Sequence, residues 1–389
     1  MSPEERRSVG ALAAIYATRM LGLFLLLPVL AIYAQELPDY SPQLLGLAMG
    51  AYGLAQAVMQ IPFGRWSDRY GRKPLITLGL GLFALGSVLG SMAHSLALLT
   101  LARVVQGSGA VSASVTALVA DLTRTEVRTR AMAFIGISIG LSFVVALIVA
   151  PVLDAAIGVP GIFLIMLAMA LAGIALLHLA VPAEPVRSGG AEARRLSGMI
   201  EILGRPALRP MYLGVFSLHF IMTATFLSVP QVLAGDLRIA TGDHWMVYLG
   251  VFVCSIAGTV PLVLGTERGG GGGRLFVVAV LLLAAAQALL GLDHAHLWRV
   301  LAALTLFFAV FNYLEARLPA LLTQAAPATD RGAALGVFAT AQFLGAFLGG
   351  AIGGLLLGRF GLSGVFWGSA TVALGWSLLA RGLGARTAN

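Results

Sequence analysis

Twelve long apolar stretches follow one another along this chain, separated mostly by short polar segments. A helix needs about 20 apolar residues to cross the hydrocarbon of a bilayer, and each stretch is close to that length or longer. The stretches therefore predict an all-α membrane protein with 12 transmembrane helices, which we number span 1 to span 12. They cover residues 9–34, 44–63, 74–94, 96–120, 131–153, 160–180, 211–230, 244–265, 274–292, 297–322, 332–357 and 364–384.

The composition excludes an ordinary soluble domain. Apolar residues make up 59% of the chain and charged residues only 11%, which is about half the charged share of a typical soluble protein. Very little sequence remains outside the spans, so we expect no soluble domain. We also expect no cleavable signal peptide, because Met1 to Gly10 is polar and the next stretch is long enough to span.

The net charge of +8 is distributed unevenly along the chain. With an even number of spans, both termini lie on one side of the membrane, and the loops on that side carry 19 of the 25 Lys and Arg residues. The loops of the opposite side carry Arg238, Arg299 and Arg359. The positive-inside rule therefore predicts that both termini are cytoplasmic. This asymmetry, with some attraction to anionic membrane lipids, explains the basic excess and argues against a nucleic-acid partner.

An internal repeat divides the chain into two similar parts. Ile61-Pro62 recurs 199 positions later as Val260-Pro261, and Arg19 of span 1 corresponds to His219 of span 7. Duplicated membrane units place a substrate site at their interface, near the middle of the bilayer. We expect three regions: an N-terminal six-helix bundle over residues 1–180, a cytoplasmic linker over 181–210 and a C-terminal six-helix bundle over 211–389.

The connection between spans 2 and 3 is short and strongly charged. Residues 64–73 read Gly-Arg-Trp-Ser-Asp-Arg-Tyr-Gly-Arg-Lys, with five charges in ten residues. Such a segment cannot lie in hydrocarbon, so it predicts a tight polar turn at the membrane face. Its pattern Gly-x-x-x-Asp-Arg-x-Gly-Arg-Lys resembles the signature loop of the major facilitator superfamily of transporters. In span 4, Arg103-Val-Val-Gln-Gly107 resembles a second pattern of that family.

The resemblance covers the whole chain and is strongest for twelve-span drug:proton antiporters, particularly the bacterial YajR-like group. It implies the major facilitator fold of two pseudo-symmetric six-helix bundles and a monomeric carrier of the bacterial inner membrane that needs no cofactor. Some members carry a soluble C-terminal domain; because this chain stops at Asn389, just after span 12, we expect such regulation to be absent. Further matching stretches are Arg19-Met-Leu-Gly22, Leu27-Pro-Val-Leu30, Phe311-Asn-Tyr-Leu-Glu-Ala316 and Gln342-Phe-Leu-Gly345.

One stretch departs from the antiporter pattern. Antiporters often end helix 5 with Gly-x-x-x-Gly-Pro-x-x-Gly-Gly, whereas residues 146–155 of this chain read Ala-Leu-Ile-Val-Ala-Pro-Val-Leu-Asp-Ala. Only Pro151 remains from the motif, and Asp154 stands in place of a glycine. This departure weakens the assignment of export as the direction of transport.

Few charged side chains lie inside the predicted spans, and each is a candidate functional residue because charge is costly in a membrane. They are Arg19 in span 1, Arg103 in span 4, His219 in span 7 and Glu315 with Arg317 in span 10. Each of these spans is the first of a three-helix group, and in the resembled family those helices line the central cavity. We expect no metal site, because no second histidine lies at ligand spacing in the spans.

The four main candidates have different chemistry. Glu315 is the only carboxylate well inside a span and can take up a proton near neutral pH if it is desolvated; the alternative is a structural ion pair with Arg317 or Arg19. His219 titrates in the useful range and could relay protons, contact substrate or hydrogen-bond a neighbouring helix. Arg103 could orient an acid or a substrate anion, and the resemblance associates it with proton transfer; otherwise it is a packing residue.

The charged connection has a gating role in the resembled family, where it latches the two three-helix groups of a bundle at the cytoplasmic face. The resemblance implies that the latch forms in the outward-facing state and breaks as the carrier opens inward. The alternative is that these charges serve only topology and solubility. The implied gating residues are Gly64, Asp68, Arg69, Gly71, Arg72 and Asp121.

Small residues inside the spans give two further expectations. Cys254 is the only cysteine, so no disulfide can form within the chain, and we expect it to be a small core residue. Glycines repeated every four residues predict smooth helix faces for close packing. Such repeats occur in span 11 at Gly345, Gly349 and Gly353, and in span 2 at Gly46 and Gly50.

Together these features predict a secondary active transporter that exports a small amphipathic compound in exchange for protons by alternating access. One alternative is a lipid, lysolipid or small-anion carrier, because Arg19 and Arg103 would suit an anionic headgroup. Another is a membrane sensor that transports nothing. We do not expect an enzyme, because the sequence shows no nucleophile–base pair and no metal-ligand cluster. The expected partners are a small molecule, protons and membrane lipids.

Overall fold

The structure is a computed structural model that describes residues 1–182, 201–267, 272–327 and 330–386. Within these residues the regular secondary structure is helical, and ten helices are long and apolar enough to cross a membrane. Most of the predicted linker, residues 183–200, lies outside the described residues. The ten helices are Pro3–Leu25, Pro42–Tyr70, Arg72–Ser91, Leu96–Asp121, Thr125–Ala180, Arg209–Asp236, Thr241–Thr266, Gly272–Leu292, Leu297–Ala325 and Arg331–Ala380.

Two of these helices are too long for a single crossing. Thr125–Ala180 has 56 residues, or roughly 84 Å of helix, whereas the hydrocarbon is about 30 Å thick. It is broken at Gly158, where φ is 69°, and the last helix is broken in the same way at Gly361, where φ is 67°. Glycine is favoured at these positive φ angles because it has no Cβ. Residues 125–157, 159–180, 331–360 and 362–386 thus form spans 5, 6, 11 and 12, and the described residues contain the 12 expected spans.

The charged connection between spans 2 and 3 differs from the expected turn. Span 2 stays helical through Tyr70 and span 3 begins at Arg72, so only Gly71 leaves the helical conformation. The prediction of a polar turn over residues 64–73 is therefore wrong, since most of this segment is helix. The apolar pattern ends at Phe63 because the helix leaves the hydrocarbon there, and a backbone that is helical inside the bilayer can continue into water.

Span 4 is interrupted in its second half. Its first helix ends at Ser108 and the second begins at Ser112. Gly109 lies between them with non-helical angles, φ −78° and ψ 62°. An interrupted helix leaves backbone carbonyls without their usual amide partners. The carbonyl oxygen of Gly109 accepts from the backbone N–H of Val111 at 2.8 Å, and its second lone pair remains available to a side chain from another span.

The first and last six spans form two halves that meet along defined helices. We call residues 1–182 the N half and residues 201–386 the C half. Span 2 of the N half packs against span 11 of the C half, and the helix Thr125–Ala180 packs against span 8. We call the end of the molecule that holds both termini the termini end, and the opposite end the outer end.

The two halves are in close contact at the outer end. A Cβ atom on Gly46 of span 2 would overlap the carbonyl oxygen of Gly350 of span 11, and one on Gly50 would lie 2.6 Å from the carbonyl oxygen of Phe347. Glycine at these positions lets the two backbones touch. The side chain of Gln35 also donates to that of Gln231 across the halves at 2.9 Å. The outer end is therefore closed in this conformation.

Span 11 carries glycines on two faces. Cβ atoms on Gly345 and Gly349 would overlap the carbonyl oxygens of Phe216 and Phe220 in span 7 of the same half. Gly350 and Gly354 instead face span 2 of the other half. The expectation of close packing at the repeated glycines is confirmed, and span 11 is held by backbone contact on both sides.

Cys254 corrects another expectation. Its side chain is exposed on span 8 and does not belong to the core. An apolar face of a transmembrane helix can meet either lipid or another helix, because lipid tails are as apolar as a protein core. Hydropathy alone therefore does not distinguish the two environments.

Candidate functional site

Two of the four main candidate residues, Arg19 and Arg103, lie together in the N half. Their guanidinium carbons are 5.7 Å and 4.9 Å from the ring centroid of Tyr52 in span 2. Arg19 exposes only 1% of its surface and Arg103 only 2%. A desolvated cation near an aromatic face gains about 2 kcal/mol, so Tyr52 is a principal partner of both charges.

Hydrogen bonds from these arginines connect three spans. Arg19 Nη2 donates to Gln56 Oε1 at 2.5 Å and to the carbonyl oxygen of Gly109 at 2.6 Å. That carbonyl is available because span 4 is interrupted at Gly109. Arg103 Nη1 donates to Gln106 Oε1 at 2.8 Å, across the three-residue spacing that places both side chains on one helix face.

The charges of the two arginines are not balanced by a nearby acid. Among the described residues, no carboxylate forms an ion pair with either guanidinium. Nε and Nη1 of Arg19 and Nε of Arg103 also lack hydrogen-bond partners. Buried charges without a counter-charge are costly. Contrary to the expectation of one shared cavity, this pair is shielded from solvent in the present conformation.

The other two candidates, His219 and Glu315, lie together in the C half. His219 Nε2 is 3.8 Å from Glu315 Oε2 and 2.8 Å from Nε2 of Gln342 in span 11. His219 Nδ1 is 3.1 Å from the carbonyl oxygen of Val215. Because a carbonyl can only accept, Nδ1 carries the hydrogen, and Nε2 of the neutral ring accepts from the amide of Gln342.

Glu315 is less buried than its position in the middle of span 10 predicts. Its side chain is 41% exposed. Phe308, Phe311 and Glu315 succeed one another on one face of the helix, and both rings contact Phe143 of the N half. Glu315 therefore faces the space between the halves. Its ion-pair partner is His219, and the alternative pairing with an arginine is not found among the described contacts.

Aromatic rings from both halves cover the outer side of this space. Phe143 of span 5 lies 5.1 Å from Phe24, and the ring of Phe311 lies 6.1 Å from His219, both measured between ring centroids. The remaining contacts of Phe143, to three rings of the C half, are between 6.1 and 6.4 Å. We call this group the aromatic seal; it comprises Phe24, Phe143, Phe226, Phe308 and Phe311. In span 10, Phe311 and Phe308 lie about one and two turns from Glu315 toward the outer end, so the aromatic seal separates Glu315 from that end.

Arg72 organises the predicted gating residues at the termini end. Its guanidinium lies 2.6 Å from Asp68 Oδ1 and 3.5 Å from Asp121 Oδ2, and Nη1 donates to Ser67 Oγ at 2.9 Å. These contacts join spans 2, 3 and 4 within the N half. Arg69 instead stacks on Tyr70, with its guanidinium carbon 5.3 Å from the ring centroid.

The contacts of Arg72 with Asp68 and Asp121 are formed in a conformation whose outer end is closed. The gating role that the resemblance implied stays a prediction. Of the other implied gating residues, Gly71 forms the break between the helices at φ 97°. Gly64 has only an ordinary contact with Ala113, at 4.0 Å from an ideal Cβ.

The chain matches the family model described as Major Facilitator Superfamily over residues 12–267. It belongs to the major facilitator superfamily. The inner membrane transport protein YajR of Escherichia coli (strain K12) is 39% identical over 381 residues, covering 98% of this chain and 84% of that protein. This major facilitator is therefore a multi-pass inner-membrane transporter and not an enzyme.

Two further proteins are similar to this major facilitator, one over part of its sequence and one in its fold. Multidrug resistance protein 2 of Bacillus subtilis (strain 168) is 31% identical over 117 residues, covering 30% of this chain and 29% of that protein. A solved structure of a bacterial homologue of the human lysosomal transporter Spinster, inward-facing and occupied, has a TM-score of 0.75. At 16% identity, with 100% of this chain and 98% of that chain covered, it shows the shared fold.

Sequence reasoning did not assign two residues to the site. Tyr52, one of several aromatic residues of the spans that spacing cannot sort, lies between the buried arginines, and Gln342 was noted only as part of the stretch Gln342-Phe-Leu-Gly345. A polar stripe could have indicated Tyr52. It comprises Tyr52, Gln56 and Gln60, which are four residues apart in an apolar span and share one helix face. No comparable signal marks Gln342, whose partner is 123 positions away in the sequence.

The cluster around Arg72 in this major facilitator gives a stability prediction. We expect Arg72→Leu to lower the free energy of unfolding by roughly 1–3 kcal/mol, because buried Ser67 and the partly exposed Asp68 and Asp121 lose the donor that they share. Thermal unfolding of the purified protein measures this loss. Arg69→Leu is the control, since its guanidinium mainly stacks on an exposed ring, and equal losses in the two variants would contradict the role of Arg72.

Proposed function

We propose that this transporter exports a small amphipathic compound in exchange for protons. The main support is the pairing of His219 with Glu315 beside a solvent-accessible space that ends at the aromatic seal. A histidine and a carboxylate can exchange protons with water that reaches them. The partial likeness to a multidrug resistance protein fits export but does not identify a substrate.

The substrate class follows from the surfaces that meet at this space. The aromatic seal offers apolar and π surface, and Glu315 offers a negative charge directly below it. A compound with an apolar body and a polar or positively charged group would contact both. Ligand sites in proteins commonly combine such an apolar lining with a few convergent polar groups.

Alternating access would arise from rocking of the predicted bundles, residues 1–180 and 211–389, about the space between them. If both termini are cytoplasmic, as the distribution of basic residues supports, the conformation described here faces the cytoplasm. Opening the other way would separate span 2 from span 11 and divide the aromatic seal. Both halves and the space between them belong to one chain, which supports a monomer as the transporting unit.

Transport in proteoliposomes tests the proposal. With ethidium as an amphipathic cationic probe, we expect a pH gradient that is acidic inside to drive ethidium accumulation by the wild-type protein. Glu315→Gln should reduce this accumulation at least about tenfold, because the amide cannot exchange a proton. Glu126→Gln is the control, since this acid lies exposed in the first turn of span 5. Full gradient-driven accumulation by Glu315→Gln would refute the proton role of Glu315.

A second candidate function is the transport of an organic or lipid-like anion. The observation that favours it is the pair Arg19 and Arg103, buried without a balancing carboxylate among the described residues. Opening of the N half would present both guanidinium groups to a carboxylate or phosphate. Accumulation of fluorescein instead of ethidium, lost in Arg103→Gln, would establish this function in place of the first.

A further inference from the structure

We propose that Gln342 is a positioning residue whose amide follows the protonation state of His219 and transmits it to the contact that closes the outer end. This role rests on the proposed proton coupling and goes beyond it by naming a route from the proton site to the moving interface. Gln342 lies on span 11, the helix that packs against span 2 across the halves.

The hydrogen bonds of His219 leave one site for an incoming proton. Nδ1 already carries a hydrogen, which it donates to the carbonyl of Val215. Nε2 is occupied as an acceptor by the amide nitrogen of Gln342 at 2.8 Å. A proton taken from cavity water and bound at Nε2 turns this acceptor into a donor. The amide N–H of Gln342 and the new N–H then oppose each other, so the present contact breaks.

Glu315 provides the alternative acceptor. Its Oε2 atom is buried, lacks a hydrogen-bond partner and lies 3.8 Å from His219 Nε2. A protonated imidazole and a carboxylate attract each other, so a shift of about 1 Å would form a charge-assisted hydrogen bond at normal distance. Gln342 must then turn its amide over or withdraw.

The charged surroundings of His219 support this exchange. From span 10 the facing ionisable group is Glu315, and Arg317 leaves the opposite side of that helix. Span 11 contributes neutral Gln342, and the ring of Phe311 covers the imidazole from the outer side. Within the described part of the chain, Glu315 is the ion-pair partner of His219.

The backbone next to Gln342 belongs to the contact between the halves. The carbonyl oxygen of the adjacent Phe343 lies 2.7 Å from an ideal Cβ at Gly53 of span 2, and Phe347 approaches Gly50 in the same way. Interfaces packed this closely change between discrete arrangements and do not deform continuously. A small movement of span 11 at Gln342 therefore acts directly on the closed outer end.

Disulfide cross-linking across the outer end tests this role. Gln35→Cys with Gln231→Cys, in a Cys254→Ser background, places two thiols where a hydrogen bond now joins the halves. Disulfide formation needs the thiolate, whose fraction falls equally in all variants as the pH falls, so the yield of this parent protein is read relative to that of the same cysteine pair with Gln342→Met added. Between about pH 8 and pH 5, a range that spans the ordinary pKa of histidine, we expect this ratio to fall about fivefold, as for loss of one hydrogen bond.

Thr340→Val is the matched control on span 11, because its hydroxyl bonds only to the carbonyl of Gly336 in its own helix. It should retain the pH dependence of the parent. A pH dependence in Gln342→Met equal to that of the parent overturns the role of Gln342 and leaves the proposed function intact. The same equality, together with no gradient-driven ethidium transport, overturns both.

A measurement without substitution at Gln342 covers the case in which that variant does not fold. In ¹⁵N-labelled wild-type protein, the side-chain amide resonance of Gln342 should shift over the same pH range as the ring nitrogens of His219. An amide resonance that stays constant while His219 titrates overturns the proposed role.

Discussion

Gly350→Val is expected to reduce transport at least tenfold while the protein remains folded. A Cβ at Gly350 would overlap the carbonyl oxygen of Gly46 and lie 2.9 Å from the backbone nitrogen of Gly50. These neighbours are backbone atoms of another span, so they cannot turn aside as a flexible side chain can. Overpacking of this kind costs about 1–3 kcal/mol or more, and the cost falls on the conformation in which spans 2 and 11 touch.

Gradient-driven ethidium uptake measures the loss of transport. The reactivity of a cysteine introduced by Gln35→Cys measures how far the outer end stays open. Uptake should fall, and labelling of the cysteine from the outer side should rise because the outer end no longer closes. Gly81→Val provides the control, since a Cβ on Gly81 of span 3 meets nothing within 4 Å. Normal transport by Gly350→Val would show that the close contact of spans 2 and 11 is not needed for the cycle.

Phe143→Ala is expected to uncouple the protein by opening the aromatic seal. Phe143 is 8% exposed and contacts one ring of its own half and three rings of the C half. Replacing a buried phenylalanine by alanine costs about 3–5 kcal/mol and leaves a cavity the size of the ring. In this layer the cavity would extend the space around Glu315 toward the outer end and so thin the barrier to protons.

The decay of an imposed pH gradient in proteoliposomes measures the leak. We expect at least tenfold faster decay with Phe143→Ala than with the wild type. Phe143→Leu should retain most of the barrier, because it fills more of the space. Phe360→Ala is the control, as that ring is 66% exposed and lies outside the seal. Equal decay in Phe143→Ala and the wild type would exclude the seal as a barrier to protons.

The sequence predicted the number of spans because crossing the bilayer imposes a minimum apolar length that composition reveals directly. The same rule misplaced the connection after Phe63, since hydropathy marks the edge of the hydrocarbon and not the end of a helix. The interruption at Gly109 was also missed. A glycine within an apolar stretch does not by itself indicate that an arginine from span 1 will satisfy the freed carbonyl.

The candidate site was predictable as a set of residues but not as an arrangement. Arg19, Arg103, His219 and Glu315 stand out because charge is rare in spans. Their division into a shielded arginine pair and a buried His219 beside a partly exposed Glu315 depends on side-chain directions that spacing does not specify. Gln342 could not be singled out, because a neutral amide in a span carries no such signal and its hydrogen bond depends on tertiary contact.

The position of Glu315 below the closed outer end has an electrical consequence. The exposed side of Glu315 faces the space below the seal, whereas the seal and the glycine contacts of spans 2 and 11 lie between Glu315 and the outer side. We therefore expect most of the membrane potential to fall across these closed layers. A net charge moved across the full potential gains about 2.3 kcal/mol per 100 mV. Each turnover that carries unbalanced charge past Phe143 and Phe311 should therefore respond steeply to voltage, and an electroneutral exchange should not.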